Sequence, residues 1–149
     1  MWRSLLLVGL VACGTSADYG APTAQTDIRL SKDGGFAGPG NGSSVRILGT
    51  TATFMSSGRN GTATVSTDDV AAIIGALEDA SFLDLHGSYT ECTGAATDLP
   101  VAQVTATVTA GTNMLSFYTG CTGGTFDDLQ RVEKTIEDRS GFTAWASNP

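Results

Sequence analysis

Residues 61–77, GTATVSTDDVAAIIGAL, contain the change of period that decides the fold. Up to Val65 the residues alternate as a half-buried strand does. From Ser66 onward the apolar residues Val70, Ile73, Ile74 and Leu77 recur as one stripe of a 3.6-residue helix. Ser66 is placed as N-cap with Asp69 in the reciprocal capping position. Asp68 and Asp69 then sit at the positive end of the helix dipole. The helix is expected to stop near Ala80, and Phe82, Leu83 and Leu85 carry the core contact onward.

Before this point, Thr26–Ser31, Ser44–Leu48, Thr51–Ser56 and Gly61–Val65 read as strands. Turns are expected at Gly49-Thr50 and at Gly58-Arg59-Asn60-Gly61, where Asn-Gly is the strongest short hairpin signal of the chain. Residues 33–43, DGGFAGPGNGS, form a glycine-rich loop. No Gly-Lys-Ser/Thr follows it and no helix opens after it, so it is not a phosphate loop.

After the helix, residues 86–100 form a polar loop and Val101–Ala110 a threonine-rich strand. Val104, Ala106 and Val108 face one way; Gln103, Thr105, Thr107 and Thr109 face the other. A turn at Gly111-Thr112-Asn113 leads into Met114–Thr119, with Leu115 and Phe117 on the core side. Thr125-Phe126-Asp127-Asp128 is expected to cap a second helix with the stripe Leu129, Val132 and Ile136, closed by Gly141 as C-cap glycine. A shift of 59 residues lays Ser66–Val70 on Thr125–Leu129, although any two capped amphipathic helices would agree this well. The pattern predicts an α+β fold: an antiparallel sheet of about five strands, two helices on one face, and threonines on the open face.

The start of the chain reads differently. Arg3 precedes the apolar run Leu5–Ala12, which in helix would reach only about 12 Å, far short of a membrane core of roughly 30 Å. A charged start, a short apolar run and small residues predict a secretory signal. Leu10-Val11-Ala12-Cys13 resembles a bacterial lipobox, which implies a diacylglycerol on Cys13, removal of residues 1–12 as signal peptide, and acylation of the new amino terminus. Two or more acyl chains suffice for stable attachment. The competing reading is an ordinary secretory signal cut after Ala17. Residues 13–26 are small and polar and read as a lipid-attached flexible tether, leaving 27–149 as a single domain.

The cysteines sort accordingly. The chain has 3, an odd number. With Cys13 taken by lipid, Cys92 and Cys121 remain as a disulfide pair in an exported, oxidising setting. A thiol metal site lacks partners, since there is no Cys-x-x-Cys and only 1 histidine, so no metal and no cofactor is expected. The net charge of −7 with no Lys/Arg cluster sets nucleic acid aside as a partner and disfavours recognition of anionic head groups.

Catalytic patterns are sparse, and no catalytic residue is assigned. A Ser-His-Asp arrangement would need His86, which sits in a loop setting without a Gly-x-Ser-x-Gly elbow. A carboxylate pair for glycoside cleavage could be drawn from Asp84, Glu91 and Asp98. Asp27, Asp33 and Asp98 lack calcium-loop spacing. A Cys92–Cys121 bridge would tie residues 86–100 to the end of the last hairpin, gathering Tyr89, Thr97, Asp98 and Tyr118 as a contact surface. The plainer alternative has Tyr118 packed on the sheet and Asp98 capping a turn.

Thr97-Asp98-Leu99-Pro100, a Thr/Val strand, Phe117-Tyr118-Thr119-Gly120-Cys121, a helix ending near Ile136-Glu137 and a terminal Trp145 together resemble a domain family of unknown function. That family recurs in bacterial lipoproteins and secreted proteins. The resemblance spans roughly residues 27–145; where many members carry a cysteine motif near the first hairpin, this chain has Gly34–Gly40, GGFAGPG. It implies fold and location but no activity. The expected function is a cell-envelope domain, exported and held to a membrane by lipid on Cys13. Gly14, not aspartate, follows the cysteine, so the outer membrane is favoured if the host has one. The domain is expected to bind an envelope protein or glycan, with a small cell-wall or polysaccharide hydrolase and a structural spacer as alternatives.

Overall fold

The computed structural model describes residues 18–35 and 42–148. The signal peptide of residues 1–12, Cys13 and most of the glycine-rich loop lie outside the described residues. The fold is α+β. Strands β1 (Asp27–Gly34), β2 (Ser43–Leu48), β3 (Thr51–Ser56) and β4 (Arg59–Thr64) are followed by helix α1 (Thr67–Asp79) and a single 3-10 turn, Phe82–Asp84. Then come β5 (Ser88–Tyr89), β6 (Pro100–Val108), β7 (Gly111–Tyr118), α2 (Thr125–Ser140) and the short α3 (Phe142–Ala146). One sheet of 7 strands runs in the order β4-β3-β2-β1-β6-β7-β5. Neighbours are antiparallel except the pair β5–β7. The sheet is thus mixed and larger than expected, because the 2-residue β5 joins through parallel pairing across a long loop, which no local period announces.

Alternation divides the sheet into two faces. Ile28, Leu30, Val45, Ile47, Val104, Ala106, Leu115 and Phe117 are buried beneath the helices. The α1 stripe Val70, Ile73, Ile74 and Leu77 and the α2 stripe Leu129, Val132 and Ile136 close the core from above, as their spacing predicts. On the other face, Arg29 pairs laterally with Arg46 and Thr105, Arg46 with Thr53, and Thr53 with Thr62. The exposed apolar residues of the strands, Leu48, Met55, Val101 and Met114, share this open face.

Helix α1 begins as read: the Ser66 hydroxyl accepts from the Asp69 amide at 3.1 Å and donates to the Asp69 carboxylate at 2.6 Å. Helix α2 does not. Its N-cap is Gly124, Thr125 is already helical, and Asp127 instead accepts from the Gly123 amide at 2.8 Å. Gly123 and Gly124 both have positive φ, so the chain enters the helix one residue early and the 59-residue match of the two caps fails. Gly141 does end α2 in the left-handed conformation, at φ 83°.

Two further expectations change. The β3–β4 turn falls on Ser57-Gly58, at φ 49° and 77°, and Asn60-Gly61 lies inside β4. Gly61 is required there by packing rather than by turning: the Trp145 indole lies against it, and an added Cβ would overlap the ring. Trp145 also packs on Phe54 at 5.4 Å and Phe142 at 5.7 Å between ring centroids, and Arg59 lies over its face at 4.8 Å. Secondly, Tyr19 and Thr26, within the stretch 13–26 expected as a tether, are packed into the domain. Tyr19 is 1% exposed, and its hydroxyl accepts from the Leu83 amide at 2.8 Å. Thr26 is buried, and its carbonyl accepts from the Gly49 amide at 2.8 Å. Tyr19 is the one aromatic of that stretch, and burying it contributes on the order of 2 kcal/mol, enough to hold its short polar neighbours in place.

Candidate functional site

The disulfide forms as read. Cys92 and Cys121 are bridged with their Cα atoms 5.9 Å apart. The bridge fastens the loop before β6 to the segment leaving β7, and hydrogen bonds complete the junction. The Ala96 amide donates to the Gly120 carbonyl at 3.0 Å, and Gln130 of α2 donates to the carbonyls of Thr119 at 3.1 Å and Cys121 at 2.5 Å. Tyr118 clasps the loop directly: its hydroxyl donates to the Ala96 carbonyl at 2.7 Å and accepts from the Leu99 amide at 3.2 Å. Gly120 has no room for a side chain between the Tyr118 ring and the Ala96 carbonyl.

Thr97 and Asp98 lie between these two anchors and are exposed. Asp98 holds φ 64°, a left-handed conformation uncommon for a residue with a Cβ. Tyr89 does not join them. It pairs in register with Phe117, and its ring meets Phe126 edge-on at 6.2 Å. Phe117 faces the helices and Tyr118 the opposite side, so Tyr89 and Tyr118 stand on opposite faces of the sheet. The expected group of four is therefore three, Thr97, Asp98 and Tyr118, with Tyr89 behind them against the core.

Of the acids proposed for a hydrolytic pair, Asp84 and Asp98 are parted as well. Asp84 ends the 3-10 turn, which is held to β7 where the carbonyls of Phe82 and of Leu85, just after the turn, accept from Asn113. Asp98 lies beyond the other end of the same hairpin. The 9 residues of β6 put roughly 25 Å between these ends, well beyond the 10 Å or so that a glycosidase pair spans. Clefts flank the Thr23–Thr26 turn and α2, and His86, Glu91 and Asp98 line none of these.

Two ionic clusters went unread in the sequence. Lys32, on the helix side of β1, meets Glu133 at 3.0 Å and Glu137 at 2.5 Å. Burial raises the pKa of Glu133, against the pull of Lys32. Burial alone would lower the pKa of Lys32, but the two carboxylates outweigh it and the net direction is upward. On the open face, Asp27 takes a two-point contact from each of Arg29 and Arg46, at 2.7 to 3.1 Å. The Arg29 and then the Arg46 guanidinium hold its carboxyl at about 2. The one sequence signal was the pair Glu133 and Glu137, like charges one helical turn apart whose mutual repulsion a cation between them relieves. No helix among the described residues is long and apolar enough to cross a membrane.

No protein-family model, no curated protein and no solved structure matches this chain.

Proposed function

We propose that this chain is an exported domain of the bacterial cell envelope, held to a membrane by lipid on Cys13, and that it binds another envelope component, a protein or a glycan. The observation that carries the reading is the Cys92–Cys121 bridge. A stable disulfide belongs to an oxidising compartment, and pairing these two cysteines leaves Cys13 alone at the end of a short apolar run. The location of the bridge supports a binding role. It stiffens a loop whose exposed residues Thr97 and Asp98 are set between the two hydrogen bonds of Tyr118. Rigid, exposed loops on a packed scaffold are the usual seats of recognition. The outer membrane is the favoured location where the host has one.

Cys13→Ser tests the anchor. The wild-type protein is expected in the membrane fraction, with a mass that carries acyl chains on residue 13, and the variant in the soluble fraction. Equal membrane association of both proteins refutes the lipid anchor.

A further inference from the structure

Tyr19 follows Cys13 by only six residues, and it is already locked into the core. A fully extended chain of that length reaches at most about 20 Å. If Cys13 carries the lipid, as proposed above, the point where Tyr19 enters the domain stays within that distance of the bilayer surface. The structure locates this point at one pole of the sheet. The Tyr19 hydroxyl meets Leu83, Gly20 packs on the side chain of Thr109 in the β6–β7 turn, and Leu83 lies beside Gly111, the first residue of β7.

The bridged loop belongs to the opposite pole. β6 and β7 run from the Thr109-Ala110 turn to Pro100 and Tyr118, where Cys92, Cys121, Thr97 and Asp98 lie. Gly35, at the end of β1, packs against the backbone of Asp98 and Pro100 at this same end. The two poles are separated by roughly 25 Å of strand. A rigid body held by a short leash at one pole cannot enter the bilayer, so the orientations that bring its far pole down are the ones sterically removed. Charge does not add to this at the near pole, so the leash alone sets the orientation: Asp18, Glu78 and Asp84 surround the entry point, with Asp84 and Glu78 close enough to act on the Tyr19 hydroxyl. Acidic groups are repelled by an anionic lipid surface and keep this pole from sinking into it.

We infer that the domain stands on the membrane by its Tyr19 pole and presents the bridged loop with Thr97, Asp98 and Tyr118 outward, at roughly 25 to 45 Å from the bilayer surface. The recognition surface then serves a partner lying in the aqueous or wall space, not lipid.

The test uses the lipidated, full-length protein reconstituted in phosphatidylethanolamine–phosphatidylglycerol vesicles whose head groups carry an energy-transfer acceptor. A donor dye is attached through an azide-bearing residue at Ala110, near the Tyr19 pole, or at Thr97. The thiol chemistry of the bridge is thereby left alone. Both proteins should float with the vesicles, and transfer from Ala110 should exceed that from Thr97 at least about twofold, given the roughly 25 Å of extra height. Flotation with equal transfer, or with more transfer from Thr97, overturns the orientation while leaving the anchor standing. Failure to float overturns both. Inserting about 20 Gly/Ser residues after Gly14 should erase the difference, because the leash then exceeds the height of the domain. An undiminished difference would mean that the leash does not set the orientation.

Discussion

One strand carries two ionic clusters of opposite composition. At Lys32, β1 places one cation between two carboxylates beneath α2; at Asp27, it places one carboxylate between two guanidiniums on the open face. The first is enclosed, with side chains 13 to 22% exposed. In the second the arginines are 54% and 46% exposed. Distance is similar in both, so their different worth comes from solvent. Half-buried charges are strongly coupled and costly to leave alone, whereas water screens the arginines from almost any error.

Removing the enclosed cation breaks this comparison at its heavier end. Lys32→Met should cost about 2 kcal/mol at pH 7 in urea unfolding, because Glu133 and Glu137 then face each other without compensation. Most of that loss should return near pH 4, where a carboxylate can be neutralised. A variant equally destabilised at both pH values would show that lost packing, not charge, is responsible.

Glu133→Gln sharpens the same end. The folded pKa of Glu133 is raised, so its favourable contribution is complete below its ordinary value and fades as pH rises through the raised one. Glutamine removes that dependence. Relative to wild type, the variant should gain up to about 1 kcal/mol between pH 4 and pH 7. A relative loss over that interval would mean that the bond to Lys32 outweighs desolvation.

Asp27→Asn probes the lighter end. Here the folded pKa, about 2, lies below the ordinary carboxylate value of 3.8, so the contribution is present above that value and lost as pH falls through about 2. With both arginines half exposed, the expected cost at pH 7 is about 1 kcal/mol or less, fading as pH falls through about 2. A cost larger than that of Lys32→Met would invert the ranking of the two faces.

The same contrast explains what the sequence could tell. Alternation put Gln103, Val104, Thr105, Ala106, Thr107, Val108, Leu115 and Phe117 on their correct faces, because one face is dry. The turn expected at Gly111-Thr112-Asn113 falls instead on Thr109-Ala110, and those three residues open β7. The caps Ser66 and Gly141 were legible because they act within one turn of chain. Asn60-Gly61 misled for a complementary reason. Its glycine answers to Trp145, 84 residues away, and a long-range contact can imitate a local signal. Tyr19 was hidden among small polar residues, and β5 exists only through its parallel neighbour.

For the candidate site, cysteine parity found the bridge. The period of β7 already placed Tyr118 opposite Phe117, but the side of Tyr89 could not be read without β5. Lys32 and Glu133 are 101 residues apart, and neither spacing nor composition brings them together.

The burial of Tyr19 also decides how the domain bears force. A pull arriving along the chain from residue 13 does not first meet a loose end of a strand. It meets an aromatic plug seated in the core and hydrogen-bonded to the 3-10 turn. Only when that plug is drawn does tension reach β1, which is flanked by β2 and β6 on both sides. An anchor at Cys13, as proposed, would therefore pull on this plug before it pulled on β1.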